Sequence, residues 1–387
     1  MHPYKTLSLS RRFKGCVGAG LAALGWLLSA PLGATTVQPV VVAQGLENPW
    51  AMAFVGDGHL LVTERPGRMR IVSPQGVVGP PLDGVPRVDA GGQGGLLDVV
   101  ADSDFARNRT VYFCYAEPAA QGAGNSTALA SARLSPDRQR LDNVRVLFSQ
   151  RPKVSSRHHF GCRIAESPDG HLFMTLGDRF GRMADAQTLD NHHGKVIRIR
   201  KDGSVPPDNP LVGRAGALPE IWSWGHRNPQ GATWGPDNRL WTHEHGPQGG
   251  DEINRPEAGK NYGWPVITYG ENYGGGRIGQ GLTQQVGMEQ PLQVWTPSIA
   301  PSGMVFVTTD RYGPAWKGSL VVGALRARQA FRLVLAPDGQ VVREEPLLGR
   351  LNERIRDVRQ SPDGWLYVLT DDTNGQVIRL EPSTVAR

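Results

Sequence analysis

Cysteine, long apolar runs and the common signatures of nucleotide-binding and nucleophilic enzymes are scarce in this chain of 387 residues. No apolar run after residue 34 is long enough to cross a bilayer, so we expect no membrane span in the mature chain. The sequence has no nucleophile elbow, no Walker loop and no CxxC or CxxCH motif. These absences disfavour serine hydrolases, P-loop enzymes and proteins with covalently attached haem.

The chain also lacks a strong charge of either sign once its N-terminus is set aside. It contains 42 Lys and Arg and 36 Asp and Glu, which give a formal charge of +6. Four of the 42 basic residues lie within 1–34, which has no acidic residue, and the remaining 38 nearly balance the 36 acidic residues. A basic surface for nucleic acid is therefore not predicted.

Residues 1–34 have the three-part pattern of a secretory signal peptide. Residues 1–14 are basic, 15–30 are apolar and uncharged, and the segment ends in the small residues Gly33 and Ala34. We expect cleavage after Ala34 and export to the periplasm, with an uncleaved membrane anchor as the alternative. Export would place Cys114 and Cys162 in an oxidising compartment, where they either pair or remain free thiols.

Glycine and proline are abundant, and they divide the chain into short strands. The 49 glycines and 30 prolines interrupt nearly every window that could form a long helix. Another apolar stretch precedes each of several tight turns, so the repeating unit is a β-hairpin. Four segments contain the turn and its following strand: 56–63, 168–175, 236–242 and 362–368.

The spacing of these hairpins predicts a propeller. The turn aspartates Asp57, Asp169, Asp237 and Asp363 are 112, 68 and 126 residues apart, which corresponds to two, one and two steps of a single repeat. A step of roughly 60 residues gives about six units in the mature chain. We predict an all-β fold, a single six-bladed β-propeller of four-stranded antiparallel blades over 35–387. A large sandwich or a β-helix is the alternative.

The segment 241–254 has the densest set of polar residues and enters a glycine-rich loop. Its backbone carbonyls and carboxylates are hard oxygen donors that suit calcium. His243 and His245 would share one face of a strand and could bind zinc instead, although no third ligand stands at a telling distance. A glycine-rich turn with a solvated Asp-Glu pair is the plainest alternative.

Arginines and aromatic residues supply a second signal. Strand alternation would bring Arg354 and Arg356 to one face, and Arg227 and Arg326 each follow a predicted strand. Several arginines that converge on one pocket would bind a polycarboxylate or a phosphate through paired hydrogen bonds. Within 259–265, a Tyr and a Trp between glycines could stack on a planar ligand. Surface charge and packing between blades explain the same residues without a ligand.

A histidine and a carboxylate suggest general-base chemistry. His159 precedes one predicted strand, and Asp178 ends the hairpin that follows. A carboxylate partner fixes the tautomer of a histidine and makes it a defined base. Gln93 lies in a glycine-rich loop where its amide could meet a ligand. The alternative is one surface histidine beside one structural histidine.

Taken together and in order, eight segments resemble the soluble quinoprotein sugar dehydrogenases of the glucose/sorbosone dehydrogenase family, and most closely its periplasmic aldose sugar dehydrogenases. Each segment alone is a weak signal, but the eight span roughly residues 45–380. The segments are GQGGLLD (92–98), HFG (159–161), RNPQG (227–231), EHGP (244–247), GGDEIN (249–254), GKNYGWP (259–265), GAL (323–325) and RIRDV (354–358).

The resemblance implies a propeller that holds pyrroloquinoline quinone (PQQ) and calcium. It implies oxidation of the anomeric carbon of an aldose to an aldonolactone, with hydride transfer to PQQ and with calcium as the Lewis acid. His159 would be the general base, Asp178 its orienting carboxylate and Arg227 a contact near the reactive quinone carbonyl. The further cofactor contacts would be Gln93, Asn228, Tyr273, Ala324, Leu325, Arg326, Arg354, Ile355 and Arg356.

The same resemblance implies two calcium sites. The backbone carbonyls of Gly246 and Pro247 would hold the catalytic ion, and Glu252 and Tyr262 would help to bind a second, structural ion. The chain departs from the family at Arg326, where lysine is usual. An arginine keeps the charge but loses the compact ammonium, so we expect a changed affinity for the cofactor.

The implied partners are a small aldose substrate and a separate electron acceptor, since the chain has no haem motif. The resemblance leaves the oligomeric state open between monomer and homodimer. Two functions of other classes remain as alternatives: a non-enzymatic calcium-binding propeller that recognises a glycan or protein partner, and a calcium-dependent lactonase. His159, Arg227, Arg354 and Arg356 are all present, which favours the dehydrogenase.

Overall fold

The computed structural model describes residues 36–383, and the predicted signal peptide over 1–34 lies outside this range. Within it, 24 strands form six four-stranded antiparallel sheets, which confirms the predicted six-bladed β-propeller. The first strands of neighbouring sheets pack against one another around the ring. None of the helices in this part of the chain is long and apolar enough to span a membrane.

The strands follow chain order around the ring, apart from the first, β1 (Thr36–Leu46), which belongs to the last blade. Blade 1 contains β2 (Pro49–Phe54), β3 (Leu60–Glu64), β4 (Arg68–Val72) and β5 (Val78–Pro81). Blade 2 contains β6 (Leu96–Ala101), β7 (Thr110–Pro118), β8 (Asn125–Leu134) and β9 (Leu141–Ser149). Blade 3 contains β10 (Ile164–Glu166), β11 (His171–Leu176), β12 (Lys195–Arg200) and β13 (Ile221–Trp224).

The second half of the ring has the same organisation. Blade 4 contains β14 (Pro229–Trp234), β15 (Leu240–Glu244), β16 (Asp251–Asn254) and β17 (Gln293–Trp295). Blade 5 contains β18 (Pro301–Phe306), β19 (Leu320–Ala324), β20 (Gln329–Leu335) and β21 (Val341–Leu347). Blade 6 contains β22 (Ile355–Gln360), β23 (Leu366–Thr370) and β24 (Gly375–Ser383), with β1 as its outermost strand.

The two ends of the described chain close the ring together. β1 pairs antiparallel with β24, from Thr36 opposite Ser383 to Leu46 opposite Gly375. Blade 6 therefore joins one N-terminal strand to three C-terminal strands. Backbone hydrogen bonds between these two segments hold the first and last blades in one ring.

The four predicted hairpin turns occupy equivalent positions. Each joins the first and second strands of its blade, in blades 1, 3, 4 and 6. In blade 2 the short helix α1 (Phe105–Asn108) lies in the same connection, and in blade 5 the longer segment 307–319 makes it. These two replacements account for the two double steps in the spacing of the turn aspartates.

Apolar side chains pack between the blades, and one disulfide lies among them. Cys114 of β7 and Cys162, which precedes β10, are both fully buried in the cluster shared by blades 1, 2 and 3. The two residues form a disulfide with a Cα–Cα distance of 6.7 Å. The pairing that the sequence left open is therefore present, and it ties blade 2 to the segment that leads into blade 3.

Candidate active site

One face of the propeller collects the predicted site residues. In an antiparallel blade, the first strand begins at the face where the second strand ends. Residues just before a first strand and just after a second strand therefore meet there, even when they are distant in sequence. The residues in these two positions are Gln93, His159, Arg227, Arg354, Asp178, Gly246 and Arg326.

His159 and Asp178 form a buried hydrogen-bonded pair. The Nδ1 atom of His159 lies 2.6 Å from Oδ1 of Asp178. Burial lowers the pKa of His159 below its ordinary value, although the Asp178 carboxylate opposes this shift. Burial raises the pKa of Asp178, but the bond from His159 and the Arg227 charge outweigh burial and leave it below its ordinary value. A neutral imidazole beside an ionised carboxylate carries its proton on Nδ1, which leaves the Nε2 lone pair for a substrate.

The backbone of His159 is held in an unusual conformation. Its φ of 50° lies in the left-handed region, and its N–H donates to Gln93 Oε1 at 2.8 Å. The carbonyl of His159 lies against Gly177, where an added Cβ would be 2.1 Å from that oxygen. Gln93 and Gly177 therefore fix the position of the histidine through its main chain.

A cavity of about 440 Å³ is lined by Gln93, which accepts the His159 N–H, although His159 and Asp178 themselves are not part of its lining. Five of the residues named in the sequence analysis line it, so the structure places them around one cavity. These are Gln93, Asn228, Leu325, Arg354 and Arg356. The rest of the lining is Asn48, Trp50, Arg65, Gly161, Gln230, His245, Ala300 and Asp371.

Arg354 and Arg356 converge on one carboxylate at the wall of this cavity, as strand alternation predicted. Nη2 of each arginine lies 3.0 Å from Oδ2 of Asp371. Burial raises the pKa of Asp371, but the two arginines outweigh it and lower the pKa to about 2. Two cations share one anion, so the cluster keeps one uncompensated positive charge toward the cavity.

A larger cavity of about 790 Å³ adjoins the first, because His245 and Ala300 line both. Four more of the predicted residues lie here. They are Gly246, Pro247, Tyr273 and Arg326.

Arg227 contacts three residues that line the larger cavity. Its Nη1 donates to the carbonyls of His245 and Gly246 at 3.0 and 2.8 Å, and its Nη2 donates to the Tyr273 hydroxyl at 3.3 Å. Its guanidinium carbon is 5.2 Å from the ring centre of Trp264. These contacts hold a cation next to Gly246 and Tyr273, which line the larger cavity, while Arg227 itself lines neither of the two cavities.

Glu252 and Tyr262 lie beside a small void of about 10 Å³, which shares His245 and Gly246 with the larger cavity and is also lined by Arg227 and Trp264. Burial and the neighbouring Glu244 carboxylate raise the pKa of Glu252 to about 8. The Asn254 amide nitrogen lies 3.4 Å from Glu244 and 3.2 Å from Glu252, so it bridges the two carboxylates. The Tyr262 hydroxyl donates to the Arg255 carbonyl at 2.5 Å and accepts from the Glu257 N–H, so it is already committed.

The zinc alternative finds no third ligand. Within residues 36–383, no three His, Cys, Asp or Glu side chains converge on a metal position. His243 packs against Gly231, where a Cβ would lie 2.1 Å from its Nε2. His245 is 2.7 Å from the Pro301 carbonyl through its own Nε2.

Two predicted cofactor contacts have their side chains in the hydrophobic core. Ala324 packs in the cluster between blades 4 and 5, and Ile355 packs in the cluster between blades 5 and 6. Only their neighbours Leu325, Arg354 and Arg356 reach the cavity. Ala324 and Ile355 would therefore contribute through their main chains.

Asp371 and the role of Trp264 were not predicted from the sequence. Asp371 directly follows β23, Asp178 follows β11 after one residue, and Glu244 is the last residue of β15. An alignment of the four hairpin repeats would have shown an acidic residue at the end of each second strand. The indole of Trp264 donates to Oδ2 of Asp178 at 2.8 Å, a contact across 86 residues that no local pattern predicts.

Known proteins are similar to this chain in fold and in sequence. The family model for glucose/sorbosone dehydrogenases matches residues 46–379. The aldose sugar dehydrogenase YliI of Escherichia coli is 44% identical over 351 residues, which cover 90% of this chain and 93% of that protein. A solved glucose dehydrogenase is 47% identical, with a TM-score of 0.86 over 89% of this chain and 100% of that one.

A solved structure with lower sequence identity has the same fold. The PQQ-bound aldose sugar dehydrogenase of Streptomyces coelicolor is 27% identical, with a TM-score of 0.74 over 92% of this chain and 100% of that one. The fold, the arrangement of the site and the length of these matches lead to one conclusion. The chain belongs to the glucose/sorbosone dehydrogenase family.

Proposed function

We propose that this protein is a quinoprotein dehydrogenase that oxidises the anomeric carbon of aldose sugars to aldonolactones. The observation that carries the proposal is the buried His159–Asp178 pair, because the His159 N–H bonds to Gln93, which lines a cavity whose wall also holds Arg354 and Arg356. The relatives support it, since two of them are named aldose sugar dehydrogenases and one of these was solved with PQQ bound.

The cavity fits a planar polyanion such as PQQ, which has three carboxylates and an ortho-quinone. Its volume of about 440 Å³ lies in the range of small-molecule sites. The pair Arg354 and Arg356 leaves one positive charge uncompensated beside Asp371. Within residues 36–383, the Nε atoms of Arg227 and Arg356 are buried and have no hydrogen-bond partner. Buried donors are rarely left unpaired, so these two support an acceptor that the ligand would bring.

When bound, PQQ supplies an electrophilic carbonyl carbon that accepts the hydride from the sugar. The proton of the anomeric hydroxyl would pass to Nε2 of His159. The lowered pKa of His159 keeps the imidazole neutral and ready to accept it. Asp178 would hold the ring in place and stabilise the imidazolium that forms.

Arg227 would act on the charge that grows on a ligand oxygen. The carbonyls of His245 and Gly246 and the Tyr273 hydroxyl hold its guanidinium before any ligand arrives. A cation that is already in position needs no reorganisation during the reaction, and this makes its stabilisation of charge effective.

We infer two calcium sites in the chain. The carbonyls of Gly246 and Pro247 belong to residues that line the larger cavity, and Gly246 retains a second lone pair beside its bond from Arg227. We infer that they hold the calcium that acts as Lewis acid. The void beside Glu252 is about the size of one water or ion. Its carboxylate and the main-chain carbonyl of Tyr262 would hold the structural ion.

We also propose that the protein is exported and that it passes its electrons to a separate partner. The pattern of 1–34 supports export to the periplasm, and the Cys114–Cys162 disulfide suits an oxidising compartment. Electrons would leave the enzyme to a separate acceptor, and the enzyme would act as a monomer or a homodimer.

Reconstitution of the purified mature chain tests this function. We expect dye reduction with glucose and other aldoses only when PQQ and calcium are both present, with chelator and cofactor omission as controls. Failure both to bind PQQ and to reduce the dye would contradict the proposal and favour a non-enzymatic propeller. Binding of PQQ without sugar turnover would mean that the substrate is a different alcohol or aldehyde.

A further inference from the structure

We propose that Trp264 is a positioning residue for the reaction: its indole N–H orients Asp178, and through it His159, while its ring supports Arg227. This role rests on the proposed function. It is new to the site because Trp264 lines neither of the two larger cavities and instead lines the small void beside Glu252, so it would not touch a sugar.

The Asp178 carboxylate is held at both oxygens. Oδ1 lies 2.6 Å from His159 Nδ1 and accepts the Phe180 N–H at 2.8 Å. Oδ2 accepts the Trp264 indole N–H at 2.8 Å. Without the indole, the plane of the carboxylate could rotate about its bond, and Oδ1 would no longer be fixed toward the imidazole.

Because Asp178 and Trp264 are buried, loss of the hydrogen bond between them would be strongly unfavourable. Asp178 is fully buried, and Trp264 is 6% exposed. An ionised carboxylate in such a place must have each oxygen satisfied by the protein, because water does not reach it freely. Phenylalanine has no donor to offer, so only an indole at this position satisfies Oδ2 without altering the packing.

Trp264 is itself rigidly placed. Its backbone N–H donates to the Gly225 carbonyl at 2.9 Å, and its backbone carbonyl accepts from the Gln187 side-chain amide at 2.7 Å. Its ring packs with Ala186 and Ile278 in a small apolar cluster. The segment before Arg227 and the 3₁₀ helix after Asp178 (Met183–Gln187) therefore both hold the tryptophan.

The Trp264 ring also lies near Arg227, the cation of the proposed chemistry. The Arg227 guanidinium carbon is 5.2 Å from its centre, within the range of a cation–π contact. One side chain thus contacts the carboxylate that orients the base and the cation that faces the ligand. It keeps the two groups at a constant separation.

The first experiment observes the bond directly and needs no turnover. In ¹⁵N-labelled protein, loss of one indole resonance in Trp264→Phe identifies the Trp264 N–H. We expect Asp178→Asn to move this resonance strongly, because the acceptor loses its charge. Trp295 is the internal control, since its indole donates to Glu344 at 2.7 Å and should not move. An unmoved Trp264 resonance would overturn the proposal even if the enzyme is active.

The second experiment compares Trp264→Phe with the matched variant Trp295→Phe in the reconstituted enzyme. We expect Trp264→Phe to lower kcat about tenfold with little change in KM, because a positioning bond of this strength is lost while the sugar contacts remain. Trp295→Phe should stay close to wild type. Equal kcat values for the two variants would contradict a positioning role.

The pH dependence of kcat distinguishes a positioning role of Trp264 from a purely structural one. The charged groups that face His159 are Asp178, Arg227 and His158. Loss of the indole donor makes the Asp178 carboxylate a stronger proton acceptor, so the pair takes up a proton at higher pH. The acidic limb of kcat should therefore move upward by about one pH unit in Trp264→Phe and not in Trp295→Phe. A lower kcat with an unmoved limb would show a purely structural role. If wild-type enzyme shows no turnover, the indole resonance alone decides the proposal.

Discussion

The imidazole of His159 lies 2.6 Å from the Asp178 carboxylate, although a complete β-hairpin separates the two residues in the chain. The hairpin of β10 and β11 leaves this face of the propeller and returns to it, so a residue before the hairpin meets a residue after it. Both residues lie in the short connections that flank this hairpin. The predictions that concern the base follow from this buried pairing.

Replacement of His159 should abolish most turnover and leave cofactor binding intact. A general base contributes about 10²–10⁴-fold, so His159→Ala should lose activity by that factor. The adjacent His158 is exposed and is the matched control, since His158→Ala should remain within a few fold of wild type. Turnover by dye reduction and PQQ binding by absorbance titration measure the two effects. A fully loaded His159→Ala enzyme with normal turnover would exclude the residue as the base.

The activity of wild-type enzyme should decline only at acidic pH. The pKa of His159 is lowered in the folded protein, first by burial, so the imidazole stays neutral to a lower pH than a free histidine. Activity that needs the neutral form is present above this pKa and is lost as the pH falls through it. Initial rates at saturating sugar between pH 4 and pH 8 check the position of the limb. A limb above the pKa of free histidine would contradict this environment for His159.

Removal of Arg356 should weaken cofactor binding more than it weakens folding. Arg356 is buried, shares Asp371 with Arg354 and has an unpaired Nε, so its truncation removes a charge-assisted contact to the anion. We expect the Kd for PQQ to rise about 10- to 100-fold in Arg356→Ala. Arg343→Ala, on the outer strand β21, provides the control for loss of one positive charge. Equal affinities of the two variants would place the cofactor elsewhere.

Calcium should stabilise the fold through Glu252. Binding to the folded state alone raises its stability, by about 2.7 kcal/mol at a hundredfold excess over Kd. We expect the Tm of wild-type protein to rise with calcium and that of Glu252→Gln to rise much less, because the variant loses a charged ligand. The exposed Glu257 is the control, and Glu257→Gln should respond like wild type. Thermal scans with calcium and with chelator give the comparison. A full calcium response in Glu252→Gln would remove Glu252 from the site.

The disulfide should contribute substantially to stability. It is buried between blades 2 and 3 and closes a loop across a separation of 48 residues. The double variant Cys114→Ala/Cys162→Ala should lose about 2–5 kcal/mol of unfolding free energy. Equilibrium denaturation measures the loss, and a peptide map without reductant verifies the bond in wild type. Free thiols in the exported protein would contradict the pairing.

Most of the division of the chain into strands and blades follows from local sequence. The Asp-Gly turns and the alternation of strands are set by residues within about ten positions, so the repeat could be read without a structure. The double steps in spacing correctly indicated two blades without such a turn, which are blades 2 and 5. The convergence of Arg354 and Arg356 was predicted from strand alternation. In the structure Arg354 precedes β22, and both arginines meet at Asp371.

The sequence by itself determined the propeller and the number of blades, because turn chemistry and strand alternation are local properties. It indicated the candidate side chains mainly through the resemblance of eight ordered segments to a known family. The tertiary structure alone decided which of these side chains touch. Trp264 meets Asp178, Asp371 meets two arginines, and Arg227 takes the Gly246 carbonyl. Each contact joins segments from different strand ends or different blades. Such contacts depend on how the blades are placed around the ring and how the long connections fold, and no short-range pattern encodes that placement.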